Sequence, residues 1–408
     1  MKYGLSILFF VWLLASCSPP KSEHIDKLAE SGLSKFELTD KIKGMIVGAA
    51  IGDAMGAPTE MWSRNDIQAT YGFVTSLDTM VREVSPEGIW VADLPAGGTT
   101  DDTRWKVLAG EYLLTQSSNE LNPQDFASQI YQRYKEYFDQ LSQLDSFDKI
   151  GIENAFLRVG WLQEWAKVSQ PFLNNDLTGY ADSLGRFYGG EMVCAGLLYA
   201  PSLGVYFPGN PKKAYEEAFK LSIYDLGYAK DLTAMAAAMT AAGMKKGTTV
   251  DSLLASQKLD PSHYFQSRLV GRTADRIFKD AIWIANEAKT MDSLGTYFDP
   301  ESSALKFAFE QLDQRLQDMP FHAGEIYLQT ITAMVYADFD FMKTLIFLTN
   351  YGRDNDTTAA LAGGILGAFY GFDALPEKEK NQVLEVNKAI LNQDLEKLAA
   401  AISDHMAQ

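Results

Sequence analysis

The stretch Gly44-Met45-Ile46-Val47-Gly48-Ala49-Ala50-Ile51-Gly52-Asp53-Ala54-Met55-Gly56 carries a glycine at every fourth position, and Gly363, Gly367 and Gly371 repeat that spacing late in the chain. On an α-helix residues four apart share a face, so each set makes a smooth stripe. Glycine inside a helix costs about 1 kcal/mol relative to alanine, so seven such residues imply compensation by close packing or by backbone approach to a ligand. Asp53 and Glu60 keep the first segment from being a long apolar span, which argues against a membrane dimerisation stripe. The expectation is two striped helices near the centre of the protein, packed on each other, with the acidic residues beside them brought together.

Working outward, the recurring pattern from about Phe36 is helical. Asn122-Pro123 reads as a cap followed by proline at the first helical position, with Phe126, Ile130, Tyr134, Phe138 and Leu141 on one face. Asn210-Pro211 repeats the device ahead of Tyr215, Ala218 and Phe219. Leu232–Ala242 has no polar face and predicts a buried helix. Gly72–Val84 predicts irregular or short extended structure, and Val91–Asp102 a loop. No 20–50-residue period marks a solenoid. Residues 36–408 read as one mainly helical domain, with a motif core over 42–371 and a closing amphipathic segment over 376–407.

Composition narrows the function. Of 408 residues, 47% are hydrophobic, enough to bury a core, and 36 Lys+Arg against 53 Asp+Glu give a net charge of −17. An acidic chain without a basic run repels phosphate backbones, so nucleic acid is not an expected partner. Two cysteines and four scattered histidines (His24, His263, His322, His405) make neither a disulfide framework nor a usual zinc site. Residues 1–16 read as a secretory signal: Lys2, then an apolar run from Leu5 to Leu14, too short to span a bilayer. Leu14-Ala15-Ser16-Cys17 resembles a bacterial lipobox, with Cys17 as the lipidated first residue of the mature chain. Ser18 after the cysteine resembles an outer-membrane sorting pattern, and polar residues 17–35 read as a tether. The expected location is therefore exported, at the outer membrane of a Gram-negative bacterium, held by the lipid alone; nothing in the sequence sets an oligomeric state.

Three acidic clusters carry the chemistry: Gly52-Asp53 through Glu60, Thr99-Thr100-Asp101-Asp102-Thr103, and Arg353-Asp354-Asn355-Asp356-Thr357-Thr358. Carboxylate and hydroxyl oxygens are hard ligands suited to Mg²⁺, Mn²⁺ or Ca²⁺, and adjacent aspartates can face two ions about 3.5–4 Å apart. The competing reading is helix capping, since Thr100 and Asp354 each precede a helical run. An EF-hand fails, because counting from Asp354 the sixth position is Ala359 and the twelfth Ile365. A sugar-nucleotide transferase fits badly for want of a parallel sheet.

Together the glycine motif through Glu60, Gly98-Thr99-Thr100-Asp101-Asp102-Thr103, and Asn350-Tyr351-Gly352-Arg353-Asp354-Asn355-Asp356-Thr357 running on to Gly371 resemble the ADP-ribosylglycohydrolases, in family order. The resemblance implies an all-α, orthogonally packed multi-helix bundle around a binuclear Mg²⁺ site, with Mn²⁺ as a substitute, that hydrolyses the bond between ADP-ribose and a protein side chain or small molecule. By resemblance Thr100, Asp101, Asp102, Asp354, Asp356 and Thr357 are metal ligands, and Glu60 is the mobile acid at the site. Glu60, Asp101 and Asp102 are the expected catalytic residues. Gly98, Gly189, Gly190 and Asp53 are expected on the substrate side, Asp53 alternatively as a support to the ligands.

The middle of the chain departs from the family pattern. Gly189-Gly190-Glu191-Met192-Val193-Cys194 stands where an Asn-Gly-Ala-Ala-Met-Arg-like stretch is usual, and Tyr224-Asp225 stands in place of a Ser/Thr-His pair. The substrate is therefore read as ADP-ribosylated or otherwise ribosylated, with a nucleoside or other riboside hydrolase as the alternative on the same fold. A non-catalytic surface binding protein is the reading from another class.

Overall fold

The computed structural model of the chain describes residues 27–85, 88–145, 148–258, 271–292 and 296–407. The expected signal segment, Cys17 and the first part of the tether lie outside the described residues. Among the described residues eighteen α-helices follow in order: α1 (Lys27–Ser31), α2 (Lys35–Gly56), α3 (Arg64–Tyr71), α4 (Asp101–Leu113), α5 (Pro123–Ser142), α6 (Lys149–Leu173), α7 (Leu177–Arg186), α8 (Ala200–Val205) and α9 (Pro211–Leu221), then α10 (Ala229–Gly243), α11 (Val250–Ser256), α12 (Thr273–Lys289), α13 (Ser303–Asp313), α14 (Ala323–Tyr336), α15 (Phe341–Tyr351), α16 (Asn355–Tyr370), α17 (Glu377–Ala389) and α18 (Leu395–Met406). The architecture is all-α; among the described residues extended pairing is limited to three isolated bridges.

The two glycine ladders are α2 and α16, and they pack antiparallel on each other. A methyl group on Gly44 would overlap the carbonyl oxygen of Gly367, one on Gly48 that of Gly363, and one on Gly52 that of Ala359. Backbone meets backbone with no room for a side chain, which is the compensation the seven glycines need. Both helices are buried around their whole circumference over most of their length, as are α10 and α14. A helix with no polar face needs neighbours on every side. Amphipathic helices supply them: α5 buries Phe126, Ala127 and Ile130, and α9 buries Tyr215 and Ala218. The apolar face expected along α5 ends early, with Phe138 50% exposed.

Capping fixes the ends as the sequence indicates. Asn122 Oδ1 accepts from Gln124 N at 3.0 Å and Asn210 Oδ1 from Lys213 N at 2.9 Å. Ser34 and Glu37 form a reciprocal capping box at the start of α2. That box moves the start of the packed chain upstream of residue 36. Residues 27–35, read as tether, instead hold α1, whose Ser31 is buried and whose Glu30 accepts from Asn210 Nδ2 at 2.6 Å. The closing segment is two helices, because Asn392 turns with φ 57° and Asp394 caps α18. Val91–Asp102 is a loop only to Thr100, and Met80 and Leu94 exchange two backbone bonds of 2.9 Å across it. Among the described residues no helix is long and apolar enough to cross a membrane.

Candidate metal centre

The antiparallel ladder sets the site. At its last rung Gly56 meets the backbone of Asp356, so the end of α2 and the start of α16 coincide in space. A single 3-10 turn, Ala57–Thr59 with Pro58 inside it, carries the chain from α2 to Glu60. The loop bearing Gly98, Thr99 and Thr100 enters α4 beside them. Gly352 (φ 86°) and Arg353 (φ 66°) make the turn from α15 to Asp354.

All three acidic clusters converge. Oxygens of Glu60, Asp354 and Asp356 lie within 4.8 Å of one another, and so do oxygens of Asp101, Asp102 and Asp356. Asp356 belongs to both trios. Its Oδ2 lies 3.1 Å from Thr100 Oγ1, while its buried Oδ1 has no hydrogen-bond partner among the described residues. Thr357 Oγ1 donates to Asp102 Oδ2 at 2.9 Å, and Lys106 Nζ reaches Asp102 Oδ1 at 2.8 Å with both side chains 1% exposed. Glu60 pairs with Arg82, whose Nη1 also donates to the Ala57 carbonyl at 2.9 Å.

Capping explains one cluster and fails for another. Thr100 Oγ1 accepts from Asp102 N at 3.3 Å, so it does cap α4. Asp354 stands at the cap position of α16 without a side-chain cap bond, its carboxylate turned to the acidic trio instead. Asp53 is the stronger anchor of α4: its Oδ1 accepts from Thr100 N at 2.9 Å, and its Oδ2 accepts from Thr103 N at 2.9 Å and Thr103 Oγ1 at 2.6 Å.

Concentrated burial of acids shifts their titration. Burial first, then the charges of Glu60 and Asp102, push Asp354 up to about 8. Burial and Asp102 push Asp53 up to about 7. Burial, followed by Asp102 for Asp101 and by Glu60 for Asp356, raises those two well above the usual carboxylate range. Buried carboxylates this close require protons or cations between them. With all-oxygen donors and the orphaned Asp356 Oδ1, the residues present fit hard divalent cations.

A cleft opens on this cluster. Glu60, Asp101, Asp354, Asp356 and Thr357 form its acidic side, and Trp165, Tyr188, Cys194 and Phe321 stand on its apolar side. The Cys194 thiol is pushed up by burial, which keeps it protonated. Four residues expected on the substrate side do not line this cleft. Asp53 is fully buried behind the acidic trios, and Gly98 is covered by Leu94, whose Cβ lies 2.6 Å from where a methyl on Gly98 would sit. Gly189 and Gly190, at φ 76° and 88°, are exposed and shape the turn that delivers Tyr188 to the cleft. Tyr224 and Asp225 are buried scaffold: Asp225 accepts from Gly196 N and Thr233 Oγ1, both at 2.7 Å. Sequence reading missed Lys106, Arg82 and the aromatic wall; of these only Tyr188, next to paired glycines, carried a local signal.

The ADP-ribosylglycohydrolase family model matches residues 34–408. This chain belongs to the ADP-ribosylglycohydrolase family. An uncharacterized protein of Archaeoglobus fulgidus is 26% identical over 346 residues, 84% of this chain and 90% of the relative. The uncharacterized protein YegU of Escherichia coli K12 is 22% identical over 380 residues, 91% of this chain and 98% of its own. A solved chain from an ADP-ribosylglycohydrolase-related protein complex shares the fold with a TM-score of 0.50 at 20% identity, covering 91% of this chain and 100% of that one. As an ADP-ribosylglycohydrolase the protein is a hydrolase of glycosidic bonds, from a metal-dependent family that acts on ADP-ribosylated substrates.

Proposed function

We propose that this ADP-ribosylglycohydrolase is an exported, lipid-anchored enzyme that uses two Mg²⁺ ions to remove ADP-ribose from a protein side chain or small molecule. The observation that carries the reading is the pair of carboxylate trios sharing Asp356, one of whose oxygens is buried without a partner among the described residues. Thr100, Asp101, Asp102, Asp354, Asp356, Thr357 and Glu60 would hold the ions. Bound there, Mg²⁺ supplies Lewis acidity for water activation and for holding ribose hydroxyls.

Cleavage at an anomeric carbon passes through an oxocarbenium-like transition state, so a group must accept the proton of the attacking water. Both oxygens of Asp102 are engaged, by Lys106 and Thr357. Glu60 lines the cleft at the end of a short turn with one partner, Arg82, and is the group assigned to take that proton. Asp53 orients Thr100 and Thr103 and so the first turn of α4. Trp165, Tyr188 and Phe321 give the substrate an apolar wall that limits water at the bond broken. Anchoring rests on Leu14-Ala15-Ser16-Cys17, and Cys17→Ala is expected to abolish incorporation of labelled fatty acid.

The test is hydrolysis of ADP-ribosyl-arginine peptide, ADP-ribosyl-serine peptide, O-acetyl-ADP-ribose and simple nucleosides, with Mg²⁺ or EDTA, beside Asp101→Ala/Asp102→Ala. ADP-ribose released only with Mg²⁺ and intact aspartates supports the reading, and the preferred compound names the substrate class. Cleavage of nucleosides alone would replace it with a riboside hydrolase.

A further inference from the structure

Helix α4 carries metal ligands at its first turn and, on its outer side, floors a second cleft of about 500 Å³ that the reaction does not use. Its walls come from α5, α6 and the turn between α17 and α18. That volume is in the range of sites that hold a ligand of mononucleotide size. Four cationic side chains line it, Arg104, Arg133, Arg158 and Lys397, in a protein of net charge −17.

The lining acids are already occupied. Glu111 accepts from Arg133 Nη2 at 2.8 Å, and Asp394 pairs with Lys388 at 2.8 Å while capping α18. Among the described residues Arg158 and Lys397 have no carboxylate within 4.0 Å. The cleft therefore presents positive charge not neutralised from within. Aromatic surface accompanies it: Trp90 and Trp161 meet edge to face with centroids 5.5 Å apart, and Tyr137 stands opposite on α5. Arg104 is 5% exposed, with its guanidinium 3.7 Å from the Trp90 ring centre, and Arg158 lies 5.7 Å from the same ring. The buried indole N–H of Trp161 has no acceptor among the described residues. Guanidinium groups suit phosphate oxygens, and indole and phenol faces suit a heterocyclic ring.

We propose that this cleft is a second ligand site, separate from the metal centre, for a phosphorylated small molecule bearing a heterocyclic ring, of mononucleotide size. Arg158 and Lys397 meet the phosphate and Trp90 and Tyr137 the ring. The proposal is independent of the substrate assigned to the metal centre, since it invokes no metal ligand.

The test is titration of the full chain in detergent with AMP, adenosine and inorganic phosphate, followed by calorimetry and tryptophan fluorescence, with Mg²⁺ and with EDTA. Saturable AMP binding that survives EDTA, exceeds adenosine and phosphate, and weakens at least about tenfold in Arg158→Glu/Lys397→Glu is the expected result. Both substitutions are at exposed positions, and circular dichroism with the thermal midpoint checks their fold. AMP binding absent, lost in EDTA, or unchanged by the charge reversal overturns the proposal. Phosphate binding as tightly as AMP overturns the ring-binding part and with it the ligand class.

Discussion

Gly56 lies directly against the backbone of Asp356, so the last rung of the glycine ladder is also the contact that places a shared carboxylate between two acidic trios. Fold and site are thereby one piece of geometry. A ladder that slipped by one residue would rotate Asp356 about 100° around α16, away from Glu60 and Asp101.

This contact sets the first prediction. Gly48→Ala gains helix propensity of about 1 kcal/mol, but its methyl would overlap the Gly363 carbonyl, a backbone atom that cannot swing aside. Overpacking of this kind costs about 1–3 kcal/mol or more, so a net loss is expected in urea unfolding, with weakened Mg²⁺ binding because α16 moves. Gly185→Ala is the control. Nothing lies within 4 Å of the new methyl, and on exposed α7 it should leave stability unchanged or raise it by up to about 1 kcal/mol.

The ladders, caps and acidic clusters were legible because each rests on local spacing. A four-residue glycine period dictates a stripe whatever surrounds it, and Asn-Pro dictates a helix start. Residues whose role depends on long-range contact were not legible. Lys106 reads as one more lysine on α4 until the fold buries it beside Asp102, and Trp165 and Phe321, 156 residues apart in sequence, share a cleft wall only after folding. Asp53 shows both sides: its motif marked it, but only the structure shows it facing α4 and not the cleft.

Proton release should accompany metal uptake. Asp354 is pushed up to about 8 and Asp53 to about 7, against an ordinary value of 3.8, so metal-free folded protein holds protons that the unfolded chain has lost. Between about pH 4 and 8 the folded state therefore binds more protons than the unfolded state, and metal-free stability falls as pH rises through the folded values. Cations displace those protons. Calorimetry in buffers of different ionisation enthalpy should show more protons released per Mg²⁺ at pH 6.5 than at pH 8.5, with affinity rising over the same interval, and thermal midpoints in EDTA should fall as pH rises. A flat EDTA profile would contradict the titration assigned to these carboxylates.

Lys106 and Asp102 form an ion pair sealed from water. Removing one partner of such a pair leaves a buried charge and costs about 3–5 kcal/mol. Lys106→Met should therefore destabilise the metal-free protein by that order, and because Asp102 is also a member of one of the acidic trios, Mg²⁺ bound there should recover part of the loss. Urea unfolding with and without Mg²⁺ reads both quantities. Equal losses in the two conditions would mean that Lys106 supports packing and not the charge of Asp102.

Arg353 holds the turn before Asp354 in a left-handed conformation, φ 66°, that a side chain disfavours by about 1–2 kcal/mol. Its guanidinium grips Glu325 at 2.8 and 2.9 Å, and its backbone carbonyl accepts from Met61 N at 2.6 Å, next to Glu60. Arg353→Ala loses the grip and keeps the strain; Arg353→Gly loses the grip and relieves it. The glycine variant should be the more stable of the two by about 1 kcal/mol in chemical denaturation. If the two are equally stable, the left-handed backbone at this turn carries no strain for glycine to relieve.

Glu60 can act on water, hold an ion, or do both, and a single substitution separates these roles. Gln keeps the size and can still meet Arg82, but it cannot accept a proton at neutral pH. Loss of a general base lowers turnover by about 10²–10⁴-fold, a loss that persists when Mg²⁺ is saturating. Loss of a ligand instead raises the Mg²⁺ concentration needed and is recovered by adding more. Glu60→Gln is expected to show the first pattern, since Asp354 and Asp356 would remain of its acidic trio and the Asp101–Asp102–Asp356 trio would be intact. Full recovery of turnover at high Mg²⁺ would move the proton-accepting role from Glu60 to one of the other carboxylates lining the cleft, Asp101, Asp354 or Asp356.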